Sequence, residues 1–126
     1  MSRLILVVDD NDMNRQLLTD VLTRSGYTVF PARDGAEGVA MAIAHAPDLI
    51  LMDIQMPVMN GLEAGRALRN DPRTKNILLL ALTSYNLLEE KDDFFQTGFD
   101  GYLDKPLSIR KLPEIIRGYL PGEDNG

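Results

Sequence analysis

The chain has 126 residues, a net charge of −6 and no cysteine. One domain of this length can bury a core without disulfides, and the lack of cysteine excludes a thiolate metal site and a cysteine nucleophile. The acidic balance argues against binding to nucleic acid, which relies on Lys and Arg at the phosphates. No apolar stretch approaches the roughly 18 residues of a membrane span, and Asp9 and Asp10 end the first apolar run too early for a signal peptide. We therefore expect a cytoplasmic protein.

Apolar runs alternate with amphipathic segments along the chain. The runs predict strands over residues 4–8, 27–30, 48–53, 77–82 and 99–103. The segments between and after them predict helices that begin near residues 12, 35, 61, 86 and 108. The third run is apolar without alternation, which is typical of a strand buried on both faces of a parallel sheet. We therefore predict an α/β fold, a doubly wound (βα)5 sandwich with the flavodoxin-like strand order 2-1-3-4-5.

Capping residues and helical spacing define the first and last helices. Asn11 or Asp12 is predicted to cap the first helix, and Gly26 to follow its end. One face of this helix is predicted to pack on the sheet, because five apolar residues recur at helical spacing: Met13, Leu17, Leu18, Val21 and Leu22. Ser108 is predicted to cap the last helix, with Pro113 in or near its first turn.

Chemically reactive side chains follow four of the five predicted strands. They are Asp9 and Asp10, then Asp53, then Thr83, and finally Lys105. In the 2-1-3-4-5 order the topological switch point lies between the first and third strands, so the three aspartates are expected to meet there. Three close carboxylates repel one another unless a cation intervenes, and Mg²⁺ prefers such oxygen ligands. With a hydroxyl and an ammonium group nearby, the set predicts a phosphoryl site in which a carboxylate is the nucleophile.

This set of residues resembles the receiver domain of two-component response regulators. The resemblance covers residues 3 to about 120 and rests on four motifs: Asp9-Asp10, Asp53 with Met56-Pro57 and Gly61, Thr83-Ser84, and Lys105-Pro106. It implies that residues 1–120 form a stand-alone, CheY-like receiver domain similar to DivK-type single-domain receivers. Residues 121–126 would then be a short polar tail, with no output domain.

By this resemblance Asp53 is the phosphoacceptor. Asp10, Asp53 and the backbone carbonyl of Gln55 would hold Mg²⁺ directly, with Asp9 acting largely through water and with Mn²⁺ as a substitute metal. The side chains of Gln55 and Tyr85 would tune the lifetime of the phosphate by controlling the access of water.

The resemblance also implies a switch. Lys105 would contact the phosphoryl group, and the Lys105–Pro106 peptide would be cis. Thr83 would contact the phosphoryl group by moving toward it, and Tyr102 would turn inward into the vacated space. A plainer interpretation of Tyr102 is an edge-strand aromatic residue that is partly buried against the sheet. The partner surface would consist of the fourth helix, the fifth strand and the fifth helix.

The implied partners are proteins. The donor would be a phosphohistidine on a sensor histidine kinase or a histidine phosphotransfer protein, and a downstream protein would bind the phosphorylated form. The receiver would load and slowly lose its own phosphate, so it would be a switch in a phosphorelay rather than a metabolic enzyme. Neither nucleic acid nor membrane is expected as a partner. The chain is expected to be a monomer, with weak dimerisation as the alternative.

Three other functions fit parts of the pattern. A receiver-shaped phosphate sink or scaffold would share the fold and the site. A small haloacid dehalogenase-type phosphatase would use Asp10 as nucleophile and Asp12 as acid, but would leave Asp53 without a role. A flavin-binding module on the same fold would need Ser, Thr and Gly where the first loop is acidic.

Overall fold

The strands predicted from the sequence form one sheet. The structure is a computed structural model that describes residues 3–54, 61–83, 98–104 and 108–120, without the side chains of Leu62, Thr83 and Asp104. Its strands are β1 (Leu4–Val8), β2 (Thr28–Ala32), β3 (Leu49–Asp53), β4 (Leu78–Thr83) and β5 (Gly101–Asp104). Its helices are α1 (Asp12–Arg24), α2 (Gly35–His45), α3 (Gly61–Asn70) and α4 (Leu112–Tyr119). The helix predicted over residues 86–97 lies outside the described residues, so α4 corresponds to the fifth predicted helix.

All strands of the sheet are parallel, in the order β2-β1-β3-β4-β5. The predicted doubly wound order is therefore confirmed. In the β1–β3 pair Val8 lies opposite Met52, and in the β3–β4 pair Asp53 lies opposite Leu82. The carboxyl ends of β1 and β3 are consequently neighbours, which places the residues that follow them at one point of the sheet edge.

Two hydrophobic clusters cover the two faces of the sheet, because successive residues of a strand point to opposite faces. The first contains Leu6 and Val8 of β1 and is closed by residues of α2 and α3: Ala42, Ala64 and Leu68. The second contains Ile5 and Val7 of β1 and is closed by residues of α1 and α4: Leu18, Leu22, Leu112 and Ile116. Among the described helices, none is both long and apolar enough to span a membrane.

The prediction for the apolar face of α1 was partly wrong. Leu18 and Leu22 are buried, as expected, but the side chain of Met13 is 83% exposed and that of Leu17 is 45% exposed. Each residue turns a helix by about 100°, so Leu17 and Met13 lie about 100° and 140° around α1 from Leu18. The sheet and α4 cover only a narrow stripe of this helix, and these two side chains fall outside it.

Element ends differ slightly from the predictions. Asn11 caps α1 by accepting a hydrogen bond from the backbone N–H of Asn14 at 2.9 Å. Ser108 does not cap α4: this helix begins at Leu112, and the Ser108 carbonyl oxygen accepts from the N–H groups of Lys111 and Leu112 in a preceding turn. Pro113 then lies in the first turn of α4, where a proline costs no intrahelical hydrogen bond.

Arg69, near the end of α3, joins three segments at the edge of the sheet away from the acidic residues. Its guanidinium group donates to three carbonyl oxygens at 2.7–2.8 Å, those of Gly98, Lys75 and Ile77. The same group forms an ion pair with Asp100 at 2.7 Å. Asp100 also accepts from the backbone N–H of Leu79 at 2.8 Å, so the approaches to β4 and β5 are fixed together.

Candidate functional site

The three aspartates predicted to meet at the switch point do so. Asp9 directly follows β1, and Asp53 is the last residue of the neighbouring strand β3. One carboxylate oxygen from each of Asp9, Asp10 and Asp53 lies within 4.8 Å of the other two. Asp9 and Asp53 are only 1% and 3% exposed, whereas Asp10 is exposed. Two of the three carboxylates are therefore buried, and the third, that of Asp10, lies at the surface.

The loop from Asp9 to Asp12 is held at several points. The backbone N–H of Asp9 donates to the carbonyl oxygen of Ala32 at 3.1 Å, which continues the β1–β2 pairing by one residue. The Asp9 side chain accepts from the backbone N–H of Asn11 at 2.9 Å. Since Asn11 in turn caps α1, the acidic loop and the first turn of the helix form one connected structure.

Asp53 is held by the sheet on one side and by α3 on the other. The N–H of Ile54 donates to the carbonyl oxygen of Leu82 at 3.0 Å, and the N–H of Gly61 donates to that of Ile54 at 3.0 Å. A Cβ atom on Gly61 would lie only 2.7 Å from the backbone oxygen of Asp53. Glycine at this position therefore lets α3 begin directly against the end of β3.

Arg15, which the sequence placed near the site on the first helix as a possible contact for a donor domain, instead contacts the acidic loop. Its guanidinium group donates to the backbone oxygen of Asp9 at 2.9 Å and forms an ion pair with Asp12. The spacing of Asp12 and Arg15, three residues apart in a predicted helix, was a signal for the ion pair. Nothing in the sequence indicated the bond to Asp9. Within the described residues, Asp12 is not one of the three clustered carboxylates.

The other predicted site residues are only partly described. Thr83 ends β4 and pairs with Asp104 of β5, so its backbone lies at the same sheet edge as Asp53. Tyr102 lies in β5, is half-buried, and packs against the cluster that contains Val8. Four positions with predicted roles, Gln55, Tyr85, Lys105 and Pro106, lie outside the described residues. Their roles, and those of Thr83 and Tyr102, stay predictions.

The donor set of this site fits a hard divalent cation. Carboxylate oxygens are the ligands that Mg²⁺ prefers, and Mg²⁺ commonly binds through one or two carboxylates with water and phosphate oxygens in the remaining positions. Two nearly buried carboxylates beside a third repel one another, and a dication between them offsets that repulsion. Because Asp10 is exposed, its carboxylate is accessible to solvent.

The fold and the acidic group together define a phosphorylation-dependent signalling domain, and comparison with known proteins agrees. The sequence profile of the response regulator receiver domain matches residues 5–117. The chain therefore belongs to the response regulator receiver domain family. It is 36% identical over 120 residues to the polar-differentiation response regulator DivK of Brucella ovis, which covers 95% of this chain and 98% of that protein.

Solved structures show the same fold. The chemotaxis protein CheY4 of Vibrio cholerae superposes with a TM-score of 0.88 and 33% identity, covering 94% of this chain and 98% of that one. The receiver domain of a sensor histidine kinase from Pseudomonas aeruginosa gives a TM-score of 0.86 at 31% identity, covering 95% of this chain and 98% of that one. That structure has a magnesium ion coordinated in its active site cleft.

Family membership confirms the principal predictions. The chain is a CheY-like receiver of two-component signal transduction, and its acidic group is of the kind at which receiver domains bind Mg²⁺. Receivers are phosphorylation-dependent switches rather than metabolic enzymes, and they interact with histidine kinases or phosphotransfer proteins and with downstream proteins. The phosphatase and flavin-binding alternatives do not fit a chain of this family.

Proposed function

We propose that Asp53 accepts a phosphoryl group from a phosphohistidine and that the chain thereby switches the binding of a downstream protein. The observation that carries this proposal is the position of the Asp53 carboxylate, 3% exposed at the end of β3 and within 4.8 Å of the carboxylates of Asp9 and Asp10. The backbone hydrogen bonds of Ile54 and Gly61 hold the carboxylate at that position.

In the transfer step a carboxylate oxygen of Asp53 forms a bond to phosphorus as the bond from phosphorus to the histidine nitrogen breaks. The leaving imidazole keeps the electron pair and takes up a proton, which leaves a neutral histidine on the donor. Asp10, Asp53 and the backbone carbonyl of Gln55 would hold Mg²⁺, which would supply positive charge to offset the charge of the phosphoryl oxygens. Asp9 would act largely through water, and Mn²⁺ would serve in place of Mg²⁺.

Lys105 and Thr83 complete this proposed site. The Lys105 ammonium group binds the phosphoryl oxygens as a point charge, and the Thr83 hydroxyl donates to one of them. With these residues the domain loads its own phosphate. Because water can also reach the phosphorylated Asp53, the domain slowly hydrolyses that phosphate. The side chains of Gln55 and Tyr85 set how fast that hydrolysis proceeds.

Phosphorylation adds roughly −1.5 to −2 charges at the sheet edge. Thr83 at the end of β4 responds by moving toward the new group, and Tyr102 of the neighbouring strand turns inward. The surface formed by β5, α4 and the predicted helix over residues 86–97 then binds the downstream partner. To shift the active state from about 1% to about 99%, phosphorylation must favour that state by about 5.5 kcal/mol.

The donor approaches over α1. This helix begins beside the acidic group, and its outer side carries the exposed apolar side chains of Met13 and Leu17. Three polar residues of the same helix, Asn14, Gln16 and Asp20, lie beside them on an open surface patch. A phosphohistidine on a helical donor domain that packs on this patch is brought next to the end of β3.

Intact-protein mass spectrometry after incubation with acetyl phosphate tests the proposal. The wild type is expected to gain one phosphoryl group in the presence of Mg²⁺ or Mn²⁺ and none when EDTA is present. Asp53→Asn is expected to gain none under either condition. Asp20→Asn is the matched control, since it makes the same change at an exposed aspartate of α1 and is expected to load like the wild type.

Three results would contradict this function. Phosphate that is still gained by Asp53→Asn would show that another residue is the acceptor. A wild type that gains no phosphate from acetyl phosphate or from a phosphorylated histidine phosphotransfer protein would instead indicate a receiver-shaped scaffold. A phosphate sink would load normally but bind no downstream protein more tightly in the loaded form.

A further inference from the structure

Arg15 contacts the loop that carries the metal-site aspartates rather than the space in front of them. Its guanidinium group lies between the backbone oxygen of Asp9, at 2.9 Å, and the carboxylate of Asp12. The Arg15 side chain is only 16% exposed, whereas that of Asp12 is 86% exposed. The Arg15 side chain is therefore largely buried, unlike that of an ordinary surface arginine, and its guanidinium group bonds to the loop.

We propose that Arg15 is a positioning residue for the metal site and that it acts by fixing the peptide between Asp9 and Asp10. This inference rests on the proposed function only in that the three aspartates bind Mg²⁺. It extends that function by assigning a role to a residue that is not itself one of the clustered carboxylates.

Peptide planarity transmits the restraint from Arg15 to Asp10. The carbonyl group of Asp9 and the Cα atom of Asp10 lie in one peptide plane, so a hydrogen bond to the Asp9 oxygen also orients the start of Asp10. On the other side of Asp10, the N–H of Asn11 is held by the Asp9 side chain at 2.9 Å. Asp10 thus lies between two fixed points although its own carboxylate is exposed.

Arg15 also pairs with Asp12, which is in the first turn of α1 and close in sequence to Asp9 and Asp10. This ion pair holds the charge of Asp12 on the helix, whereas the bond to the Asp9 oxygen is the contact that positions Asp10. A metal ligand whose surrounding hydrogen bonds are removed typically loses about 10- to 100-fold in metal affinity. We expect an effect near the lower limit for Arg15, because other hydrogen bonds of the loop remain.

For Arg15, charge alone predicts a change in Mg²⁺ affinity of the opposite sign, which makes the inference testable. Replacing a cation near an acidic site by a neutral residue removes repulsion of Mg²⁺, and should strengthen metal binding. Replacing Asp12 by a neutral residue removes attraction and should weaken it. A positioning role predicts weaker binding for Arg15→Gln and little change for Asp12→Asn, since the bond from Arg15 to the Asp9 oxygen survives in the latter.

The experiment is calorimetric titration of Mg²⁺ into the full chain. Arg15→Gln is expected to raise the Kd for Mg²⁺ about tenfold, and Arg15→Lys by an intermediate factor, because an ammonium group can keep one of the two contacts. Asp12→Asn is expected to stay within about twofold of the wild type. Arg24→Gln, which makes the same charge change at an exposed residue in the last turn of α1, is the matched control and is expected to bind like the wild type.

Amide NMR spectra without metal provide a second readout. Arg15→Gln is expected to shift the backbone N–H signals of Asp10 and Asn11, and Arg24→Gln is not. If Arg15→Gln fails to fold, Arg15→Lys and Asp12→Asn carry the same comparison.

Unchanged or tighter Mg²⁺ binding in a folded Arg15 variant would overturn the inference, as would a loss in Asp12→Asn equal to that in Arg15→Gln. A failure of the proposed function would give a different result. The wild type would then bind Mg²⁺ but take up no phosphate, and the ratio between the Kd values of the variants could still be measured. A wild type without measurable Mg²⁺ affinity would overturn both.

Discussion

At the residue scale, the site depends on Gly61 because glycine has no Cβ atom. A Cβ atom at this position would lie 2.7 Å from the backbone oxygen of Asp53 and 2.7 Å from the Cα atom of Ile54. Both are backbone atoms of buried residues, so neither can move aside as the end of a flexible side chain could. The start of α3 and the end of β3 therefore fit together only with glycine.

Gly61→Ala is expected to lower the free energy of unfolding by about 1–3 kcal/mol, as overpacking in a buried site typically does. It is also expected to slow phosphate uptake at Asp53, because the clash displaces the backbone that carries the carboxylate. Gly118→Ala is the control, since among the described residues no heavy atom outside the adjacent residues and the backbone of α4 lies within 4 Å of a Cβ at that position.

The control variant should be stabilised by up to about 1 kcal/mol, because alanine favours a helix over glycine. Urea denaturation and the acetyl phosphate assay measure the two effects. A Gly61→Ala protein with wild-type stability and uptake would show that the contact between the start of α3 and the end of β3 adjusts without cost.

Asp71 and Arg73 form an ion pair in the loop after α3. The Arg73 side chain donates to both carboxylate oxygens of Asp71, at 3.0 and 2.7 Å, and its backbone N–H donates at 2.8 Å. The side-chain hydrogen bonds, followed by the backbone one, lower the pKa of Asp71 from 3.8 to about 2. Since the folded-state pKa lies below the ordinary value, this contribution to stability is present above pH 3.8 and is lost as the pH falls toward 2.

Titration of the Asp71 carboxyl carbon by NMR is expected to give a midpoint near pH 2 in the wild type. In Arg73→Gln the midpoint should move back toward 3.8, because the charged donor group is absent. Arg66→Gln, an exposed arginine on α3, should leave the Asp71 titration unchanged. A wild-type midpoint at the ordinary value would show that the ion pair does not persist in solution.

At the scale of single elements, α1 combines three tasks. Leu18 and Leu22 on its inner stripe close the second hydrophobic cluster. Its first turns hold the acidic loop through the Asn11 cap and the Arg15 contacts. Its outer side leaves Met13 and Leu17 exposed. Substitution of these two residues is therefore expected to have little effect on the stability of the fold, and their exposure fits contact with another helical protein.

Replacing both Met13 and Leu17 by serine is therefore expected to leave the free energy of unfolding within about 0.5 kcal/mol of the wild type, as for most surface substitutions. Uptake from acetyl phosphate should also stay unchanged, because a small donor needs no docking surface. Transfer from a phosphorylated histidine phosphotransfer protein should fall by at least about tenfold, since the loss of 1.4 kcal/mol of apolar contact corresponds to that factor.

The matched control is Ala36→Ser with Ala40→Ser, at exposed positions of the same spacing on α2. Transfer reactions quenched at successive times and analysed by gel autoradiography give the transfer rates of the two double variants. Equal transfer rates for both would place the donor surface elsewhere on the receiver.

At the scale of the whole molecule, folding itself creates the acidic site. The two hydrophobic clusters fix the order of the strands, and that order brings Asp9 and Asp53 to adjacent strand ends. Burial of the core thus forces like charges together at the edge of the sheet. A cation that binds this group binds the folded chain but not the separated aspartates of the unfolded chain.

Mg²⁺ is therefore expected to stabilise the wild type by about 2.7 kcal/mol at 100 times its Kd, which corresponds to a rise of about 10 °C in Tm. EDTA should reverse the rise. Sodium chloride at the same ionic strength is the control, because it screens the repulsion without occupying the site. Differential scanning calorimetry of the wild type and Asp10→Asn measures the effect, and a full rise in that variant would exclude Asp10 as a ligand.

The sequence by itself determined the strands, their parallel arrangement and the group of three aspartates. Apolar runs without alternation indicate buried parallel strands, and residues that end such strands must share one edge of the sheet. The meeting of Asp9, Asp10 and Asp53 at one edge of the sheet therefore follows from the sequence pattern alone. The resemblance of the motifs to receivers then added roles for individual residues, which composition and spacing do not provide.

Only the tertiary structure decided which surfaces of these elements are covered and which backbone groups are held. Met13 and Leu17 follow the same helical spacing as Leu18 and Leu22, and their exposure depends on how much of α1 the sheet and α4 reach. The bond from Arg15 to the Asp9 oxygen and the fit of Gly61 against Asp53 join groups that local sequence patterns do not relate. Such contacts depend on distances between packed elements, and periodicity along a chain carries no information about those distances.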